Sequence, residues 1–416
     1  MNQSVRKKQK RSRHGWGCAA LFSIFSFASL IGVVALVPAL SPSTGAQVAD
    51  MIRGMAGPQV TADIESLSFW IQDNINQLAY QADGKRPGIT LGQQSVAQPT
   101  APVITPVSRP TLQPAPPPTQ TANQPAAITQ KPIFQRVVPT PLNTNAVTAD
   151  PQIGWQAYGP AVNGQPVMAQ ALLNLDPTRP YAGVALVRID LSMLQLHTEP
   201  GFLEPSHATN VTDAIPNLGT IPPADMSRLV AGFNGGFKAV NGKYGMVVDG
   251  TTLIPPYPGI ATVAIYKDGH VQIGTWGQDL FPGDPNMIAL RQNCPPILEA
   301  GQMDPRVYVD NTSLWGNTIG NQSITWRTGL GITQDRRYLI YAVGNATSVS
   351  TLAQALQNAG AYTAMQLDIN KHYAHFVTYE ASGSHLKAVQ LLDQMESDPT
   401  LYLVAHSRDF FYLTTR

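Results

Sequence analysis

Residues 86–149 contain no Asp or Glu and carry thirteen of the chain's 35 prolines, interspersed with Gln, Thr, Ala and Val. Such a composition cannot bury enough apolar surface to offset the entropy of ordering it. It favours extended, polyproline-like backbone instead. Any sizeable core must therefore lie outside this stretch. The expected role is a disordered spacer, holding a folded part away from whatever retains the amino end. A PxxP ligand is the weaker reading, because such short motifs recur by chance in proline-rich linkers.

Upstream, residues 18–40 run for 23 positions without a charge. At about 1.5 Å per helical residue they span about 34 Å, enough to cross a hydrocarbon core. Arg6, Lys7, Lys8, Lys10, Arg11 and Arg13 precede the run. This predicts a basic cytoplasmic tail over 1–14, a transmembrane signal anchor over 15–40, and an extracytoplasmic remainder. A cleaved signal peptide is the alternative, although its apolar core is usually about 7–15 residues. Over 61–81, Ile64, Leu67, Trp70, Ile71, Ile75, Leu78 and Ala79 recur at helical spacing. They predict an amphipathic helix within a juxtamembrane segment, 41–85.

Without the basic tail, 21 basic face 26 acidic side chains. A nucleic-acid protein carries its positive charge on the folded part, so that class is excluded as the main function. Two cysteines, Cys18 and Cys294, exclude a disulfide scaffold, and Cys294 reads as a buried apolar residue.

Residues 150–416 are globular in composition. Strands are expected over 181–191, continuing through 193–197. Hairpins are expected around Asp249-Gly250, around 267–270 and around 334–337. A helix starts at Ser350, buries Leu352, Ala355, Leu356 and Ala359, and stops at Gly360. Residues 362–367 form a buried strand, 384–395 a second helix, and 401–405 with 410–413 closing strands. Many hairpins with few helices predict an α+β domain with a mixed, mainly antiparallel sheet and flanking helices, preceded by one transmembrane helix and a Pro-rich linker.

Certain residues suggest chemistry. Asn234-Gly235-Gly236 can turn successive backbone N–H groups towards an anion, and Lys238 adds charge nearby. A tight turn without ligand is the plain alternative. Arg327 can clamp a phosphate with its planar guanidinium, or pair with a surface carboxylate. If the strand before Asp368 continues, Asp368, Asn370 and His372 share one face. They then offer a carboxylate, an amide and an imidazole. A metal would need further ligands, and no clear fourth is present, so neither metal nor cofactor is expected. Glycoside cleavage generally uses two carboxyl groups. Asp249, Asp268 and Asp335 are explained by turns, which leaves Asp190, Glu299 and Asp310 as the second, with Glu299 preferred.

Four segments occur in order: Gly232-Phe233-Asn234-Gly235-Gly236-Phe237, Gly245-Met246-Val247-Val248-Asp249-Gly250, Arg327-Thr328-Gly329-Leu330-Gly331-Ile332, and the helix leading to Met365-Gln366-Leu367-Asp368. Their order and spacing resemble the phosphodiester glycosidase family over about 180–379. The resemblance implies a glycan phosphodiester substrate, with Asn234, Gly235, Gly236, Arg327 and Thr328 in binding and Asp368 in catalysis. The residues themselves add Lys238 and Asn370 to binding and His372 and Glu299 to catalysis. Where that family has Asp-Gly-Gly-Gly-Ser, this chain has Asp368-Ile369-Asn370-Lys371-His372. Two functions follow as expectations. One is an envelope hydrolase of sugar 1-phosphodiesters; the other is an inactive module that binds polysaccharide or a protein partner. The enzyme requires Asn234, Arg327, Asp368 and His372 to line one cleft.

Overall fold

Alternate residues of the strand Val184–Asp190 enter two different cores. Val184 and Leu186 join one cluster, and Ala185, Val187 and Ile189 join another. The strand Tyr338–Thr347 divides in the same way, with Ile340 and Ala342 opposite Leu339, Tyr341 and Val343. Successive side chains of a strand point to opposite faces, so this sheet needs cover on both sides. The computed structural model supplies that cover. It describes residues 74–82, 89–92, 153–205, 219–309, 311–316, 323–382 and 385–416.

The central sheet has eight strands, in the order Gln156–Ala157, Met168–Leu173, Val184–Asp190, Tyr338–Thr347, Thr325–Ile332, Thr363–Gln366, Pro296–Glu299 and Gln302–Met303. The helix Val349–Asn358 covers one face with Leu352, Ala353, Ala355 and Leu356. Two five-stranded sheets contribute to the core on the other. One runs Val271–Thr275, Ala261–Tyr266, Met287–Gln292, Met246–Val248 and Thr251–Ile254. The second runs His385–Gln390, Phe376–Ser382, Leu229–Asn234, Phe410–Thr415 and Leu194–Glu199.

The three expected hairpins form, each antiparallel. Other expectations need correction. Every ladder between the named strands of these sheets is antiparallel, so the sheet is not mixed. Residues 181–191 and 193–197 do not form one strand. Asp190 accepts from Ser192 N at 2.9 Å, and that turn sends Leu194–Glu199 into another sheet. The expected helix over 384–395 is instead the strand His385–Gln390, which finds six ladder partners along Phe376–Ser382. Pairing of this extent overrides helical propensity. Residues 401–403 make a 3₁₀ turn rather than a strand. The helix cap is Ser348, whose Oγ accepts from Thr351 N at 3.0 Å, two residues before the expected Ser350. Cys294 is buried and free, and burial pushes its thiol up to about 12, as befits an apolar role.

The apolar run 18–40 lies outside the described residues. Among the described residues no helix is long and apolar enough to cross a membrane. Residues 74–82 are helical, and the earlier part of the helix expected over 61–81 lies outside the described residues. Residues 89–92, counted in the Pro-rich linker from composition, pack on the domain, with Ile89 fully buried.

One buried carboxylate lacks a partner. Glu199 Oε2 has no hydrogen bond among the described residues. Burial, with Asp249 and Asp225 nearby, raises its pKa to about 8 from an ordinary 4.5. Between those values the folded chain keeps a proton that the unfolded chain has lost, so stability falls as pH rises through that window. Glu199→Gln removes the titration. Its melting temperature is expected to exceed that of the parent by several degrees at pH 8 and to match it near pH 4.5. Equal differences at both pH values would contradict this.

Candidate functional site

Three chain segments converge at one end of the second five-stranded sheet. The strand Leu229–Asn234 ends there, and Phe410, which begins Phe410–Thr415, pairs with Asn234. The chain leaving Thr363–Gln366 arrives beside them, where Thr328 N donates to Asp368 O at 2.9 Å. Between the segments lies a recess lined by Asn234, Gly235, Gly236, Asp368, Tyr373, Leu401, Tyr402, His406, Arg408 and Asp409. The cavity it leaves is about 10 Å³. That is about enough for one water.

One N–H of the glycine turn, that of Gly236, meets an anion, and the anion belongs to the protein. Gly235 N donates to Asp409 O at 3.1 Å, Gly236 N to Asp409 Oδ2 at 3.0 Å, and Phe237 N to Asn293 Oδ1 at 2.9 Å. A Cβ on Gly235 would sit 2.0 Å from Asp409 Oδ2, so only glycine lets the carboxylate approach. Asp409 is also gripped from the other side. Arg291 Nε donates to its Oδ2 at 2.8 Å and Arg291 Nη2 to its Oδ1 at 3.3 Å. The remaining Arg291 donors reach the carbonyls of Phe237, Tyr244 and Gln292.

Asn234 is equally committed. Its Nδ2 donates to Gly235 O and Thr328 Oγ1, both at 2.9 Å, and its Oδ1 accepts from Tyr341 Oη at 2.8 Å and His375 N at 3.2 Å. Thr328 lies behind the recess and joins Asn234 to Asp368, whose N donates to Thr328 Oγ1 at 3.0 Å. Asp368 uses one oxygen to accept from Asn370 N at 2.8 Å and the other to accept from Arg408 Nη2 at 2.5 Å.

Arg408 fills the centre. It is about 6% exposed and its guanidinium stacks on Tyr373, 4.3 Å from the ring centroid. Nη2 also donates to Gly236 O at 2.8 Å, while the buried Nε has no partner among the described residues. An unpaired buried donor on a cation is costly, and an acceptor placed there lowers the energy. His406 lies 2.8 Å through Nδ1 from Arg408 O. With its proton on Nδ1 the ring donates to that carbonyl, leaving Nε2 as the acceptor. Burial is the main force holding His406 below its usual range, and the Arg408 charge adds to it. These outweigh the backbone hydrogen bond and Asp409, which act the other way. The imidazole is therefore neutral at pH 7.

The expected four-residue cleft is not formed. Arg327 is buried, and its donors go to the carbonyls of Thr347, Trp315 and Ser323 and to Gln366 Oε1. It neighbours Thr328 on one strand, so it points to the opposite face. His372 pairs with Glu396 at 2.7 Å, outside the recess. Burial alone would raise the Glu396 pKa, but His372 and Lys371 prevail and bring it to about 2. Asp368, Asn370 and His372 form no row, because the strand ends at Gln366 and Asn370 turns back to His372 N. Asn370 is exposed, and neither it nor Lys238 lines the recess. Glu299 accepts from Thr275 Oγ1 at 2.5 Å. Its neighbour Leu298 pairs with Ala364, so it lies level with Thr363. Five residues at about 3.3 Å put it about 16 Å from Asp368, too far for a catalytic pair. Asp190 is taken up by Ser192 and Arg337, and Asp310 lies outside the described residues.

An arginine and a histidine do reach the recess, but from 406–408. No spacing signal marked Arg408, Asp409 or His406 in the sequence. The Ser-Arg-Asp run before an apolar strand was the only cue. Among the described residues no group of three or more His, Cys, Asp or Glu is arranged to hold a metal.

Residues 227–368, about a third of the chain, match the phosphodiester glycosidase family, and the match supports a glycosidase-like function for this stretch. No curated protein matches the chain. Among solved structures, the zebrafish N-acetylglucosamine-1-phosphodiester alpha-N-acetylglucosaminidase catalytic domain, auto-inhibited by its pro-peptide, is 17% identical. Its TM-score is 0.40, over 63% of this chain and 87% of that one. A hypothetical protein from Synechocystis is 12% identical (TM-score 0.33, 61% and 63% covered). A putative exported protein from Burkholderia pseudomallei is also 12% identical (TM-score 0.26, 56% and 74% covered).

Breaking the Arg291–Asp409 pair leaves an uncompensated buried charge. Arg291→Ala is expected to cost about 3–5 kcal/mol in urea unfolding. Replacing both partners with apolar residues, as in Arg291→Met with Asp409→Leu, should cost less than Arg291→Ala alone. A loss within about 1 kcal/mol for the single variant would show that the pair is hydrated rather than buried.

Proposed function

We propose that residues 150–416 are an extracytoplasmic hydrolase. It cleaves the glycosidic bond of a sugar 1-phosphodiester in a cell-envelope or exopolysaccharide substrate. The apolar run 18–40 retains it at the membrane, with the basic tail on the cytoplasmic side. The observation that carries the reading is the meeting of Asp368, His406 and Arg408 at one recess beside the glycine turn of the family-matched stretch.

The chemistry follows from those three groups. The bond from the anomeric carbon to the phosphodiester oxygen breaks, and the phosphate monoester leaves with the bonding electrons. Arg408 meets its negative charge, and the unpaired Nε supplies a donor for a phosphate oxygen. As the guanidinium turns to phosphate it releases Asp368, whose carboxylate then faces the positive charge that develops on the sugar. A water completes the reaction at the anomeric carbon and gives its proton to His406 Nε2. A phosphate is a good leaving group, so the departing oxygen needs little help from an acid.

One observation favours the second reading, a binding module without activity. Arg408 neutralises Asp368 and, with Tyr373, leaves a cavity of about 10 Å³. Under that reading the ion pair is permanent and a glycan is held at the rim.

The test is sugar release from a panel of sugar 1-phosphodiesters by the purified chain. Asp368→Asn and His406→Gln are each expected to lower kcat by about 10²–10⁴-fold. Because His406 titrates below its usual range, activity should persist somewhat below pH 6.5 before falling as the imidazole takes up a proton. Release unaffected by Asp368→Asn would remove Asp368 from the mechanism. No release by folded protein would favour the binding module.

A further inference from the structure

The residues described on either side of the Pro-rich segment both pack on the domain. Thr90 N donates to Gln394 Oε1 at 3.1 Å, and Thr90 Oγ1 donates to Asp393 Oδ2 at 3.0 Å. Asp393 N returns to Thr90 O at 3.3 Å, and Leu91 bridges Leu392 in antiparallel register. Gly92 N then donates to Leu391 O at 2.9 Å. A Cβ on Gly92 would lie 2.4 Å from Gln390 O, so the backbones are in direct contact and only glycine fits. Ile89 is fully buried and flanks Gly183 together with Leu172.

The chain is next described at Ile153, which is buried in a cluster with Ala171 and Val184. Gln156 pairs with Gln170 on the same strand, Met168–Leu173. Both flanks of 93–152 therefore rest on the same domain.

We infer that the strap 89–92 fastens the upstream chain to the domain, and that the Pro-rich segment is a side loop closed at both ends rather than a spacer. The reach between the apolar run and the domain is then set by residues 41–88. Lengthening or shortening the Pro-rich segment leaves that reach unchanged. The occupant of the 390–394 groove is this chain's own strap, and the inference does not depend on the catalytic reading.

Two measurements on the full chain test it. In the first, Thr90→Cys with Asp393→Cys is oxidised, and the chain is then cut by a protease at a site inserted within 95–146. The two pieces are expected to stay joined on a gel and to separate only on reduction, with the protein eluting as a monomer. Failure to cross-link, or a cross-link between two copies, overturns the inference. In the second, on the unaltered chain, hydrogen exchange at the Gly92 amide is expected to be more than about tenfold slower than at the non-proline amides of 103–108. Equal exchange would overturn it without recourse to any variant.

Discussion

The Arg291–Asp409 pair is the contact on which the surrounding architecture depends. Arg291 belongs to the strand Met287–Gln292 of one five-stranded sheet, and Asp409 leads into Phe410–Thr415 of the other. Two charges taken out of water are stable only when geometry and further hydrogen bonds compensate them. Here the carboxylate gathers the guanidinium and the Gly236 amide, while the guanidinium gathers three carbonyls besides. Of these groups, Gly236 and Asp409 line the recess. The pair thus ties the glycine turn to the start of Phe410–Thr415.

Arg408 and Asp409 are adjacent in sequence and engage opposite partners, Asp368 and Arg291. The result is a buried cluster of two positive and two negative charges. In the proposed hydrolase a phosphodiester would add a further negative charge, and Arg408 would serve the phosphate fully only by giving up Asp368. Binding and release of the carboxylate would then be the same event.

The sequence revealed the fold better than the site. Hairpins at Asp249-Gly250 and at 334–337 were legible because turn chemistry is local, and the helix Val349–Asn358 because its apolar spacing is regular. The strand His385–Gln390 was not legible, since its identity comes from a neighbour in the sheet. At the site, Asn234, Gly235, Gly236 and Asp368 stood out through family-like motifs, and they do line one recess. Arg327 was misleading. A guanidinium beside a recess residue looks like a ligand until the alternation of the strand turns it to the other face. Arg408 and His406 went unnoticed because only the pairing of Phe410 with Asn234, far away in sequence, brings them in.

That same pairing bears on the order in which the protein is made. Phe410–Thr415 lies between Leu229–Asn234 and Leu194–Glu199, in the interior of its sheet. It leaves the ribosome after both of its neighbours, and domains generally fold as units. Leu229–Asn234 and Leu194–Glu199 therefore wait for Phe410–Thr415 before this part of the sheet can close. The residues that complete the recess enter with that strand.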